Sequence, residues 1–398
     1  MKQAPMRRDW TGLNPRPSSS QLLARILETP DLATAIQALR APALARLIDA
    51  VGLDDAGEIV AFASPAQLAE IFDEDLWRSE QAAGDERFDG DRFLLWLEVM
   101  MEAGDAFVAD RLAGLPEDLV TLALHEHLLV LDVDELLAEM RGTDEDDVKR
   151  VEKALSNCLS EEIDQYQLVS RRYDGWDTVL AAVLALDRDH HPLLARMLER
   201  LCAMTAEHVD REGDLLGILT SEETLEADVA ADRENRRAEM GYIAPPDARA
   251  FLKLARQKIT ELPTEHDPVT RAYFRDLRKI AAVAPGQWTG APAVGTPLLG
   301  QGPGSSREPL IVRALRGLAE IDAVAFTARS EELAYLANVL ISGSSVDGRR
   351  YRPAEAVQKA IEVCSRGLEL ASNEADAIAI LREHPVEGLF RFGWSTEG

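Results

Sequence analysis

Apolar residues recur every three to four positions over most of this chain. The clearest case lies between Glu331 and Ala371. Leu333, Leu336, Ala337, Leu340 and Ile341 follow the i, i+3, i+4, i+7, i+8 spacing of a helix with one buried face. Val357, Ala360, Ile361, Cys364 and Leu368 form a second stripe. Pro353 stands at the start of that stripe, where a helix tolerates a missing N–H. Between the stripes runs Ser342 to Arg352, a loop too polar to bury.

The same periodicity, in shorter pieces, predicts a helical-hairpin region over residues 20–130. Pro30, Pro42, Pro65 and Pro116 each open an apolar-periodic segment. Ser64 to Gln67 has the form of a capping box, and Gly52 is placed to close the helix from Pro42 as an αL residue. The helix from Asp91 to Glu102 is the most hydrophobic, and Phe93, Trp96, Leu97 and Met100 form its core face. Such short helices gain stability by stacking.

The pattern changes near the middle. His127 to Val133 and Tyr166 to Arg171 alternate like half-buried strands and are expected to pair. Between them an acidic helix is expected from Thr143 to Asn157. Helical periodicity returns over Trp176–Leu186 and Pro192–Met204, a capping box at Thr220 to Glu223 opens a helix that runs to Met240, and further helices follow from Pro246 and Asp267. The fold class is mostly α: a multi-helix array of short helical hairpins with a small two-stranded β element near residues 127–171. Residues 1–19 are expected to be a disordered tail and 131–284 a central, mostly helical region. Gly, Pro, Ser and Thr mark 285–308 as a linker ahead of a C-terminal helical region, 309–398. Gly295 to Gly300 has the glycine spacing of a phosphate loop, but Gln301 stands where the lysine should be and no strand precedes it.

Composition narrows the function. The 398 residues carry a formal net charge of -27, which disfavours nonspecific nucleic-acid binding and suits weak association with divalent cations. The three cysteines, Cys158, Cys202 and Cys364, are far apart in apolar settings and fit a reducing cytoplasm. No apolar run reaches the length of a membrane span. A soluble, cytoplasmic protein with a protein partner and no cofactor is expected.

Candidate chemistry is sparse. His125 and His127 would share a face on a strand, and His190 and His191 stand at a helix start. These four are the candidate metal ligands, without a third ligand at diagnostic spacing. No nucleophile motif accompanies them. Arg349, Arg350 and Arg352, with Tyr351 among them, form a basic loop in an acidic chain and are the candidate anion- or partner-binding residues. The reading that follows is a non-catalytic interaction scaffold or adaptor. Its rivals are a metal-dependent enzyme built on the histidines and a divalent-ion-responsive acidic module.

Several stretches carry a resemblance. Glu332 to Asn338, the run from Gly348 through Ala356, Arg366 to Glu369, the segment Arg233 to Arg256 with Gly241 to Arg249 at its centre, and the closing Phe392 to Trp394 resemble an uncharacterised bacterial family of soluble, acidic helical proteins, a domain of unknown function. The resemblance implies a helical fold and brings no reaction or cofactor. Where that family carries a Cys after Asn338, this chain has Ser344. The Pro-x-x-Leu rhythm of the N-terminal hairpins is similar to repeats in magnesium transporters and flagellar motor switch proteins. It implies a superhelical arrangement and no functional residue.

Overall fold

The computed structural model describes residues 23–24, 26–28, 31–78, 86–132, 158–210, 221–283, 308–346, 349–371 and 376–396. Sixteen helices lie among the described residues. In chain order they begin with α1 (Leu32–Gln37), α2 (Ala41–Val51), α3 (Gly57–Val60) and α4 (Pro65–Asp75), then β1 (Trp77–Arg78) and β2 (Arg87–Phe88). Next come α5 (Gly90–Met101), α6 (Asp105–Ala113), α7 (Glu117–His125), β3 (Leu128–Asp132), β4 (Ser160–Ile163), β5 (Tyr166–Ser170) and α8 (Trp176–Asp210). The rest are α9 (Ser221–Glu239), α10 (Pro245–Ala255), α11 (Pro268–Val283), α12 (Leu310–Ile321), α13 (Ala323–Gly343), β6 (Ser345–Val346), β7 (Arg349–Arg350), α14 (Pro353–Ala371), α15 (Ala377–Glu383) and α16 (Val386–Trp394). None of these helices is long and apolar enough to cross a membrane.

The fold is mostly α with small antiparallel ladders. It divides into two compact units. The first comprises residues 1–76 and 88–227, the second 77–87 and 228–398. The expected tail, the acidic helix near Thr143 and the linker 285–308 lie almost wholly outside the described residues.

In the first unit, α2 packs on α4, and α8 packs on α5, α6 and α7. The capping box forms: Gln67 N donates to Ser64 Oγ at 3.2 Å and Ser64 N donates to Gln67 Oε1 at 2.9 Å. Gln67 Nε2 also donates to the carbonyls of Ile36 and Leu39, tying α4 to the end of α1. Gly52 ends α2 with φ 102° and ψ 135°, a positive φ outside the αL basin that glycine adopts without a Cβ clash. Phe93, Trp96, Leu97 and Met100 are all buried. Phe72 meets Trp96 edge-on, with ring centroids 5.2 Å apart.

The two expected strands pair antiparallel, Leu128 opposite Ser170 and Asp132 opposite Tyr166. A third strand, β4, joins the other edge of β5. Its sequence, Ser-Glu-Glu-Ile, lacks the apolar alternation that would announce it. Helix α8 runs through the site where two helices were expected. It kinks at His190, φ -138° and ψ 37°, next to Pro192, which has no N–H to donate.

In the second unit, α13 is the central helix. It was expected to bury one face, yet every residue from Glu332 to Gly343 except Ala334 is buried. The reason is its surroundings: α10, α12, α14 and α16 all pack on it. One hydrophobic core joins residues from Ile243 to Ala255 with residues from Leu310 to Phe390, so the helices before and after 284–307 share it. Three polar side chains inside this core find partners. Asn338 Nδ2 donates to Gly241 O at 2.8 Å and its Oδ1 accepts from Ile243 N at 3.1 Å, which fixes the turn between α9 and α10. Glu332 and Glu387 accept from the backbone N–H groups of Val386 and Asp267 at 2.7 Å each.

Candidate functional site

The basic loop folds back as a short ladder, β6 against β7, with Ser345 opposite Arg350. That pairing separates its arginines. Arg349 reaches the Glu355 carboxylate with both terminal nitrogens, at 2.8 and 2.9 Å, in a half-exposed pair beside the start of α14. The backbone N–H of Arg352 donates to the same carboxylate. Tyr351 packs against the core. Only Arg350 turns inward, where its side chain is 10 % exposed. The loop is therefore less solvated than its composition implies.

Inside the second unit Arg350 joins a charged cluster that the sequence does not announce. Arg350 Nε donates to Glu86 Oε1 at 2.6 Å and its Nη2 donates to Glu234 Oε1 at 3.0 Å. Arg233 Nη1 donates to the other oxygen of Glu86 at 2.6 Å. Arg233 lies over the Trp77 ring, 4.6 Å from its centroid, and Arg237 lies over Tyr242 at 4.3 Å. Burial pushes the Arg233 guanidinium down to about 10, and the nearby Arg350 charge adds to the shift while Glu86 opposes it. Burial alone would raise the Glu86 carboxyl. The charges and hydrogen bonds of Arg233 and Arg350 overcome that and hold it below the usual range.

This cluster floors a concavity of about 480 Å³. Trp77, Glu86, Arg233, Glu234, Pro245, Pro246, Arg249 and Arg350 line it, with the end of α13 from Ser342 to Ser345. Gly343 makes the arrangement possible. A Cβ there would stand 2.8 Å from the Ala248 side chain and 3.1 Å from Arg249 N, so only glycine lets α13 end against the start of α10. That close approach brings Ser342 and Arg249 to one hollow. Two polar atoms of the lining, Arg350 Nη1 and Ser342 Oγ, have no hydrogen-bond partner among the described residues. The arrangement offers charge-assisted hydrogen bonds to an anion.

The four histidines, all in the first unit, do not converge. His125 ends α7, buried, with Arg171 Nη2 at 3.2 Å from its Nε2 and Glu222 at 3.5 Å. His127 Nε2 donates to Gly90 O at 3.1 Å, and burial lowers its tendency to protonate. His190 meets Asp110 at 2.9 Å. His191 Nδ1 meets Asp187 at 2.8 Å while its Nε2 lies 3.8 Å from Asp164. Among the described residues, Asp164, Asp187 and His191 alone form a group whose donor atoms lie within 4.8 Å of one another. The hydrogen bond to Asp187 raises the His191 pKa.

Reading the sequence for sites missed Trp77, Glu86, Arg233, Glu234, Arg249 and Ser342. The one available signal was Arg350 itself, and its partners stand 116 and 264 positions away in the chain.

These features define a mostly helical protein of two units with an arginine-lined hollow in the second. Residues 15–396 match a family of unknown function, DUF6178, and the chain belongs to that family. No curated protein and no solved structure matches it.

Proposed function

We propose that the protein is a non-catalytic adaptor that recognises an acidic group of a protein partner in the concavity of its second unit. One observation supports this reading above the others: a buried arginine at the hollow, Arg350, keeps one terminal nitrogen without a partner among the described residues after engaging two carboxylates. Arg249 adds a half-exposed cation at the rim. Guanidinium groups grip carboxylate and phosphate, and their chemistry here is recognition and not bond making. The reading includes a reducing, cytoplasmic setting, which suits a chain with three cysteines far apart in sequence.

The test uses a photocrosslinking residue in the full chain. Ala244→benzoylphenylalanine puts the probe at the exposed rim, and Tyr173→benzoylphenylalanine puts it on a solvent-facing position of the first unit. A distinct protein should crosslink from Ala244 and not from Tyr173, and Arg249→Glu should reduce its yield. Equal capture from both positions, or none from Ala244, would sink the proposal.

A further inference from the structure

The hollow offers more than positive charge. Ser342 is 7 % exposed and the Arg350 side chain 10 %, and each holds a buried donor with no partner among the described residues. A buried donor without an acceptor is costly, so the site is built for a group that supplies acceptors. The donors are of two kinds, a guanidinium N–H and a hydroxyl, with the Arg249 guanidinium at the same hollow. A carboxylate presents two oxygens in one plane and is met well by one guanidinium fork. A phosphoryl group presents three oxygens in a pyramid, which suits donors arriving from separate elements. Here they arrive from the end of α13, from α10 and from β7.

We propose that the concavity binds the phosphoryl group of a phosphate monoester. This rests on the acidic-group reading above and specifies the group. Arg350 and Arg249 supply charge, and Ser342 supplies the hydroxyl donor. Trp77, Pro245 and Pro246 give part of the lining an apolar surface for whatever carries the phosphoryl group, while the Glu86 and Glu234 carboxylates of the same lining are engaged by Arg233 and Arg350. The hollow, at about 480 Å³, has room for a body beyond the phosphoryl group itself. The close Arg233 and Arg350 charges, which disfavour each other, would both gain from a dianion between these walls.

The experiment is calorimetric titration of the full chain at fixed ionic strength. Inorganic phosphate should bind once per chain and at least about tenfold tighter than acetate. Ser342→Ala should weaken phosphate by about tenfold, the worth of one hydrogen bond to a charged group. Arg249→Ala should weaken it by a similar factor, while Arg271→Ala, on an exposed face of α11, should leave it unchanged. Two further probes separate the sources of the group. A gain for N-acetyl-phosphoserine amide assigns it to a partner's modified side chain, and a gain for phenyl phosphate assigns it to a free small molecule. Acetate binding as tightly as phosphate, or no effect of Ser342→Ala, overturns the phosphoryl assignment. No anion binding with crosslinking intact at Ala244 overturns this inference alone. Failure of both sinks the acidic-group reading as well.

Discussion

Gly367 and Gly393 face each other where α14 meets α16. A Cβ on Gly367 would stand 1.9 Å from Leu389 O and 3.1 Å from Gly393 N. A Cβ on Gly393 would stand 2.1 Å from Val363 O and 2.9 Å from Gly367 N. Every obstacle is backbone, so no side chain can rotate aside. In an exposed helix Gly→Ala would stabilise by about 1 kcal/mol. Here Gly367→Ala or Gly393→Ala should instead destabilise the second unit by about 3 kcal/mol or more, because the helices must separate. The measurement is the urea midpoint at unchanged slope. A midpoint that stays or rises would show that the two helices do not touch in this way.

Glu86 accepts from Arg233 and Arg350 in the second unit while only a tenth of its side chain is exposed. Glu86→Gln leaves two buried guanidiniums without their shared anion. Stability should fall by about 3–5 kcal/mol, the usual consequence of breaking a buried pair from one side. Glu355→Gln provides the contrast. Its partner Arg349 and the carboxylate are each more than a third exposed, so the loss should stay below about 1 kcal/mol. Similar losses at both positions would mean that the Glu86 cluster is as hydrated as the surface pair. Because the Glu86 carboxyl is held low, its contribution is present above about pH 4.3 and disappears as the medium is acidified through its native pKa.

What the sequence revealed and what it hid follow one physical divide. Helix starts were legible because a capping box and an N-terminal proline act within four residues, as at Ser64 and Gln67. The pairing of β3 with β5 was legible because alternation marks each strand separately. The burial of α13 on all sides was not. Glu332 and Asn338 are polar residues off the apolar stripe, and only α16 and the turn at Gly241 supply their buried partners. The concavity was hidden for the same reason. Arg350 stood out as a cation, but Glu86, Arg233 and Ser342 join it only through tertiary contacts that no local pattern encodes.

The three cysteines differ in reach. Cys158 is exposed, Cys202 is half-buried and Cys364 is buried inside α14. Burial pushes the Cys364 thiol well above its ordinary pKa, and the Glu332 charge adds to this, so its reactive thiolate is suppressed twice over. A thiol reagent should modify Cys158 promptly in the native protein. Cys364 should react only at the rate at which the second unit opens, and should become as fast as Cys158 in denaturant. Prompt native labelling of Cys364 would contradict the packing of α14 on α13.

His266 joins two buried glutamates of the second unit and gives it a pH dependence. Its Nδ1 lies 2.8 Å from Glu387 Oε2 and its Nε2 lies 3.7 Å from Glu332 Oε1. Arg329 and Asp267 flank the same groups. The hydrogen bond to Glu387 raises the His266 pKa, more than its partial burial lowers it. Burial raises the Glu387 and Glu332 carboxyls too. At all three positions the native state therefore holds protons more firmly than the unfolded chain, so unfolding free energy falls as pH rises. The carboxyl share of that fall lies in the acidic range. The histidine share is fully present below about pH 6.5 and is lost as pH climbs through the raised native value. The His266 share of the stability read by urea unfolding should therefore decline from about pH 6 to about pH 8. His266→Gln keeps a donor toward Glu387 but removes the titration, so the variant should lose the His266 part of the slope. Comparing the variant with the parent chain cancels the raised His191 and the lowered His127, which are common to both. If the two slopes match, His266 does not stay protonated against Glu387, and the raised pKa is not realised in the folded protein.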